Sequence, residues 1–359
     1  MQTFNDTVQA SSACPACGSF EATIVATKDG KSSDALLTIQ CGACGLGRID
    51  PLPSKESLSE WYKSSYREEY KSAVSPSLRH ILRAGRNALD RWQWYSSFIK
   101  PAGLKADFRS VDIGASSGEF VFLLKTLGFF PVGIEPHAGY GSYAVKTYDL
   151  DIHPGTLEDN MPKFALGSQH LITMFHVFEH LVDPVQTLKL LAQYLHPSGH
   201  LFIEVPDATR LCAPHTMFFK AHTLYFTKQS LAQVFAAAGL SIVHASDPQA
   251  ENLRMLAKPL DRFTSQSADA STNLLMELPR ERQNELPTEL PSQQQTEPTW
   301  LNDGALIQSQ EQRRWGPYLM SQLSDATPVK KIRRQIEERR SSAQFTTSKA
   351  LLTALYLGH

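Results

Sequence analysis

From residue 108 to residue 257, short apolar runs alternate with apolar positions at helical spacing. That alternation predicts a βαβ architecture with a largely parallel sheet. Strands are predicted over 108–113, 131–134, 151–153, 171–175 and 200–205, and a closing pair over 240–245 and 253–257. Helices are predicted over 119–127, 137–148, 184–195 and 228–238; in the third, Leu188, Leu191 and Leu195 fall on one face. Upstream, residues 54–98 read as helical and aromatic, with Trp61, Tyr62, Tyr66, Tyr70, Trp92, Trp94, Tyr95 and Phe98. Residues 264–300 lose the pattern. Ser, Gln, Glu, Thr and Pro dominate there, and such a segment buries too little apolar surface to order itself. Helical pattern returns over 301–359, where Lys330, Lys331, Arg333 and Arg334 precede Glu337, Glu338, Arg339 and Arg340 as a solvated face of mixed charge. The reading divides the chain into 1–50, 51–100 (a helical lid or linker), 101–260, a linker over 261–300 and a helical extension over 301–359.

Composition narrows the class. The chain has 359 residues, 42% hydrophobic and 20% charged, with 35 Lys and Arg against 36 Asp and Glu. A net charge of −1 gives no bulk attraction to nucleic acid or to an anionic membrane. No apolar run reaches the roughly 18 residues of a transmembrane helix. The N-terminal stretch lacks the basic start and apolar core of a signal peptide. A cytoplasmic protein is expected.

Four of the five cysteines form two pairs, Cys14-x-x-Cys17 and Cys41-x-x-Cys44; Cys212 stands alone. In a reducing compartment such pairs predict one Zn²⁺ held by four thiolates, a closed and therefore structural site. Gly18, Gly42 and Gly45 flank the pairs and permit tight turns. Lys28, Lys31 and Arg48 are the few basic residues of this ribbon, too few for a nucleic-acid surface. It is expected to pack on the α/β domain and wall an acceptor pocket.

The turn Asp112-Ile-Gly114-Ala115-Ser116-Ser117-Gly118 joins the first strand of that domain to its first helix. Glycines there let backbone approach a ligand, and the helix N-terminus favours a polar group. Glu135 ends the second strand, at the distance of a ribose-binding acid. Asp112 would repel a pyrophosphate but suits an ammonium group. On these residues and the strand order, residues 108–257 resemble the class I S-adenosylmethionine-dependent methyltransferases. The resemblance implies a seven-stranded Rossmann-like α/β domain with one reversed strand. It also implies a cofactor site at Asp112, Gly114, Ala115, Ser116, Gly118 and Glu135, with Phe175 and His176 alongside. Ser116 departs from the family's usual glycine.

Residues 176–180, His-Val-Phe-Glu-His, also match the H-x-x-E-H string of certain zinc peptidases. That chemistry needs a helix. Here a strand precedes the string, Asp183 and Pro184 start a new helix directly after it, and no third ligand is evident from sequence. The strand-end pattern E-H-x-x-D-P instead extends the methyltransferase resemblance. It places His176 near the adenosine and the transferred methyl. Glu179 and His180 either pin the turn or join the chemistry.

Downstream, Glu204-Val-Pro-Asp207 and His222-Thr-Leu-Tyr225-Phe-Thr227 are similar to methyltransferases of sugar and surface-polysaccharide pathways, some of which bear zinc. This implies a sugar, nucleotide-sugar or glycan acceptor. The segment after residue 260 does not read as the second α/β domain of the C-methylating relatives, which favours transfer to a hydroxyl or amine over carbon. His222, with a pKa near neutrality, is the first choice of base and His176 the second; Tyr225 would bind the acceptor or the cofactor's carboxylate. Two other functions fit: methylation of a small aromatic or quinone-like molecule in a pocket lined by the aromatics of 61–98, and a non-catalytic cofactor-binding subunit that meets a protein partner through its C-terminal helices.

Overall fold

The computed structural model describes residues 7–64, 75–99, 107–209, 217–247, 250, 252–260 and 348–357. The linker expected over 261–300, the extension up to residue 347 and Cys212 lie outside the described residues.

The α/β domain is built on seven strands: β5 (Arg109–Ile113), β6 (Phe130–Glu135), β7 (Ile152–Pro154), β8 (Gln169–Phe175), β9 (Leu195–Pro206), β11 (Leu240–Ala245) and β12 (Asn252–Pro259). Their spatial order is β11-β12-β9-β8-β5-β6-β7. β5, β6, β7, β8 and β9 pair in parallel, and β12 runs antiparallel to both neighbours. It is therefore the one reversed strand, as expected. The order turns back between β5 and β8, so the carboxyl ends of these strands open a crevice there.

The strands are apolar on both faces because helices cover both. α3 (Glu119–Thr126) and α4 (Ala138–Tyr148) follow β5 and β6; α5 (Pro184–Tyr194) and α6 (Lys228–Ala237) follow β8 and the β9 side. The side chain of Asp183 accepts from the Gln186 amide with Pro184 at the first helical position, so α5 starts where its sequence predicts. β9 begins earlier than its apolar run suggests: Leu195 already pairs with Gln169, five residues before His200 pairs with Leu171.

Of the segment read as lid or linker, α1 (Lys55–Ser64) and α2 (Leu78–Phe98) are helices. α2 is not a lid. Its Ala88 and Tyr95 are buried with Phe108, Phe120 and Phe202, so it belongs to the wall of the α/β domain. A terminal helix, α7 (Ser348–Leu357), lies across α2 at Gly85, where a Cβ would stand 2.4 Å from Leu352 Cδ2.

The N-terminal strands β1 (Thr7–Gln9), β2 (Glu21–Lys28), β3 (Ala35–Cys41) and β4 (Gly47–Ile49) form an antiparallel ribbon. Its fifth strand comes from the α/β domain. β10 (Leu224–Tyr225) pairs with β4 in the register Leu224↔Arg48 and Tyr225↔Gly47. Gly47 is required there, because a Cβ would sit 2.9 Å from Tyr225 Cβ. Cys14, Cys41, Cys44 and Leu46 join one hydrophobic core with Phe178, Leu224 and Phe226. The two parts share an interior.

Candidate active site

A cavity of about 290 Å³ lies at the carboxyl ends of β5, β6 and β8. Gly114, Ser116, Glu135, Phe175, His176 and His180 line it. Lys55 and Leu58 of α1 close one side. Asp112, Ala115, Gly118, His222 and Tyr225 are not among its lining residues.

The turn after β5 and the end of β6 are knitted together. Gly114 and Ala115 donate their amides to Ile134 O at 2.8 and 3.0 Å. Ser116 N donates to Glu135 Oε2 at 2.7 Å, and His137 N donates to Oε1 at 2.9 Å. Gly114, Ser116 and Gly118 all have positive φ. The expected reason for the glycines was approach to a ligand. In the structure their missing Cβ atoms make room for the chain itself: a Cβ on Gly114 would meet Val177 Cγ2 at 2.3 Å, and one on Gly118 would meet Leu150 and Ala144. Ser116 keeps the turn at φ 53° and spends its amide on Glu135.

Asp112 lies below the turn. It is buried and accepts from Thr173 Oγ1 at 2.6 Å. Burial pushes its carboxyl up to about 7, against the pull of Thr173 and of the Arg91 charge.

At the end of β8 the chain turns sharply through His176, at φ 56°. Few non-glycine residues adopt that region, and such positions cluster at functional sites. His176 Nε2 lies 3.2 Å from Glu204 Oε1, and Nδ1 lies 3.3 Å from Glu179 Oε1. Burial opposes its charge, yet the two carboxylates win and push it up to about 9. Glu204 is held in turn by Arg91 (Nη2 to Oε1 2.6 Å) and Arg254 (Nε to Oε2 2.6 Å). Despite its burial, the Arg91 charge and then His176 keep Glu204 well below the usual carboxylate range. Arg91 also covers the Phe175 ring, 4.3 Å from its centre. Sequence reasoning missed this network. Glu204 stood in a recognised string, but Arg91 and Arg254 are 113 and 50 residues away with no local signal.

Glu179 and His180 form a single turn of 3₁₀ helix with Phe178. A peptidase string needs an α-helix that sets positions i and i+4 on one face, and His176–His180 do not form one. The turn is tied to the β10 segment. Thr223 donates N and Oγ1 to Glu179 O at 3.0 Å each, and His180 Nδ1 lies 2.6 Å from Ala221 O. His222 Nδ1 lies 3.0 Å from Met217 O, and the two imidazole rings are 5.0 Å apart. Burial first, then the His180 charge, push His222 down to about 3, so the near-neutral pKa expected of it does not hold in this state. Tyr225 is placed away from the cavity: it is buried with Ile49, Ala208 and Phe218 on the ribbon side, and burial raises its phenol.

In the ribbon, the Sγ atoms lie 3.5 Å apart for Cys14–Cys44 and for Cys17–Cys41, and all four lie within 4.8 Å of one another. A tetrahedral zinc with bonds of about 2.3 Å sets its sulfurs about 3.8 Å apart. The four thiols therefore fit the ion.

A family model described as a methyltransferase domain matches residues 79–245. No curated protein matches the chain. Among solved structures, one similar to it is a SAM-dependent methyltransferase of Thermotoga maritima, at 19% identity, covering 51% of this chain and 99% of that one, with a TM-score of 0.37. Another is a SAM-dependent methyltransferase of Archaeoglobus fulgidus, at 14% identity over 48% of this chain and 94% of that one, TM-score 0.41. A third, from Leishmania major, shares 16% identity over 56% of this chain and 81% of that one, TM-score 0.40.

Proposed function

Proceeding from residues 79–245 as a methyltransferase domain of the S-adenosylmethionine-dependent class, and the protein as an enzyme, we propose that it methylates a hydroxyl of a sugar, nucleotide-sugar or glycan. The observation that carries this reading is the polar shelf beside the cavity, where His176 and His180 face it with Glu179, Glu204 and His222 packed behind. A polyhydroxylated acceptor suits such a shelf, because each buried hydroxyl needs a partner. An aromatic acceptor is less well served. Trp92, Trp94 and Tyr95 of α2 pack on Phe129 and Phe202, and none lines the cavity.

S-adenosylmethionine, when bound, supplies a methyl group on a sulfonium. Glu135, with the Gly114–Ser116 backbone, is the proposed holder of its ribose, Phe175 flanks it, and Asp112 supplies negative charge under the turn. His176 is an imidazolium below about pH 9, held by two carboxylates, and cannot serve as a free base. Its proposed role is to fix positive charge beside the cavity, its two ring nitrogens facing Glu179 and Glu204. The Glu179–His180–His222 cluster is assigned the task of promoting loss of the acceptor's proton, with Tyr225 positioning His222 from behind.

The test is transfer of a labelled methyl to separate pools of sugar nucleotides, oligosaccharides and phenols. Incorporation into a carbohydrate pool, lost on alkylation of its hydroxyls, is the expected result. Transfer to phenols alone, or cofactor binding with turnover on none, would overturn the reading. Zinc in the ribbon is part of the same proposal, as is a cytoplasmic location.

A further inference from the structure

We propose that Glu179, His180 and His222 form a second metal site, a two-histidine, one-carboxylate set for a divalent transition ion that takes the acceptor's oxygen as a further ligand. Only the role of the ion rests on the methyl-transfer reading; the site itself rests on four observations.

The ligand atoms of the three residues converge within 4.8 Å of one another, on two segments 42 residues apart. A tetrahedral ion with bonds of about 2.0–2.1 Å would draw them to about 3.3 Å, a shift within reach of side-chain rotation. Second, Glu179 is 2% exposed, yet neither carboxylate oxygen has a hydrogen-bond partner. Oε1 meets only the His176 imidazolium, whose Nδ1 is 3.3 Å away, and Oε2 is left buried with no hydrogen-bond partner. A buried carboxylate oxygen in that condition is costly, and a cation on that side would complete its surroundings. Third, His180 Nδ1 faces Ala221 O and His222 Nδ1 faces Met217 O. A carbonyl can only accept, so Nδ1 carries the proton in each ring and Nε2 the lone pair. An imidazole whose far nitrogen donates to a carbonyl is the usual metal-ligating arrangement, because the outer bond fixes the tautomer and the ring. Fourth, the backbone is already tied: Thr223 bonds Glu179 O and Leu181 O, holding the two ligand segments in register without the ion.

Donor chemistry selects the metal. Two imidazoles and one carboxylate with a coordination position left open suit zinc, or iron(II) and its neighbours, whereas magnesium and calcium prefer oxygen donors. His180 lines the cavity, and the open position is assigned to that side. There the ion would make the bound hydroxyl more acidic. In the transfer, the acceptor oxygen loses its proton to water and forms the new O–CH₃ bond, while the sulfur keeps the electron pair of the broken S–CH₃ bond.

The experiment uses the full chain, stripped of metal and reloaded anaerobically with cobalt(II), and in parallel with zinc or iron(II). Bound metal is counted by elemental analysis after gel filtration. Two ions per chain are expected. The first cobalt should show thiolate charge-transfer absorption, and the second a weaker ligand-field band without it. Glu179→Gln, which is isosteric, and His222→Gln should each keep the first ion and lose the second. Circular dichroism and cofactor affinity by calorimetry report whether each variant folds. One ion per chain in the wild type with all three metals, or a second ion that both variants retain, would overturn the site. One ion with carbohydrate methylation intact leaves the proposed function standing. Two ions without transfer to any pool would overturn the function and leave the site.

Discussion

Glu135 carries two backbone amides on one carboxylate, so it does two things at once: it closes the turn after β5 and presents charge to the cavity. Glu135→Ala would strand the amides of Ser116 and His137 and remove the proposed ribose acceptor. Hydrogen bonds to a charged group are worth about 1.5–3 kcal/mol, so affinity for S-adenosylmethionine should fall about 10- to 100-fold by calorimetry. Unchanged affinity would remove Glu135 from the site. Asp112 gives a second test, through pH. Its folded pKa of about 7 lies above the ordinary 3.8. Between those values the folded state holds a proton that the unfolded chain has released, so this group's contribution to stability declines as pH rises through that window. Asp112→Asn should therefore stabilise the ligand-free protein at pH 8, by about 2–4 kcal/mol at most, and change little at pH 4. The same substitution should weaken cofactor binding, because the asparagine offers the ammonium no charge. Thermal melts at the two pH values check the first half and calorimetry the second.

At the scale of elements, periodicity was a reliable guide wherever an element is defined by its own residues. The strand at 240–245 and the capped start of α5 at Pro184 were readable directly. What failed were statements about what lies opposite an element. The glycine turn was legible as a turn, but the space beside Gly114 is filled by Val177, 63 residues on, which no local pattern reveals. α2 was legible as a helical, aromatic segment, but not as wall rather than lid. His222 was legible as a functional candidate, yet its company with Glu179 and His180 depends on β10 folding back against the end of β8. Gly114→Ala tests the turn. The new methyl would meet Val177 Cγ2 at 2.3 Å and force a side chain onto a φ of 76°. Overpacking and backbone strain should cost about 2–4 kcal/mol together in denaturant unfolding. Val177→Ala in the same chain removes the collision and should recover part of the loss, leaving about 1–2 kcal/mol of strain. If the double variant is no more stable than the single one, Val177 is not what the glycine accommodates.

For the whole molecule, the decisive feature is that the ribbon and the α/β domain share both a sheet and a core. β10 is an edge strand of the ribbon, and the same few residues carry His222 and Thr223, whose bonds reach the Glu179 turn. Asp29 Oδ2 accepts from Lys220 N at 2.8 Å, and Gly30 N donates to Phe218 O at 2.6 Å, so the tip of the β2–β3 hairpin grips the same segment from the other side. The cavity proposed for the cofactor, by contrast, is lined by residues from α1 onward, and no described residue of the ribbon lines it. Loosening the ribbon should then separate two properties that most damage would lower together. Cys17 is the ligand to change, because it is exposed and its loss leaves no cavity in the shared core. Cys17→Ser should weaken the zinc proposed for the ribbon and with it the ribbon's folding energy. The melting temperature should fall, and turnover with the true acceptor should drop at least about 10-fold, as when a positioned group is lost. Affinity for S-adenosylmethionine should stay within about threefold, because Glu135, Ser116 and Phe175 are anchored by the seven-stranded sheet alone. Calorimetry and steady-state rates measured on one preparation decide it. Equal losses of binding and turnover would mean the ribbon supports the whole domain, and full turnover in a protein without ribbon zinc would mean β10 holds its place unaided.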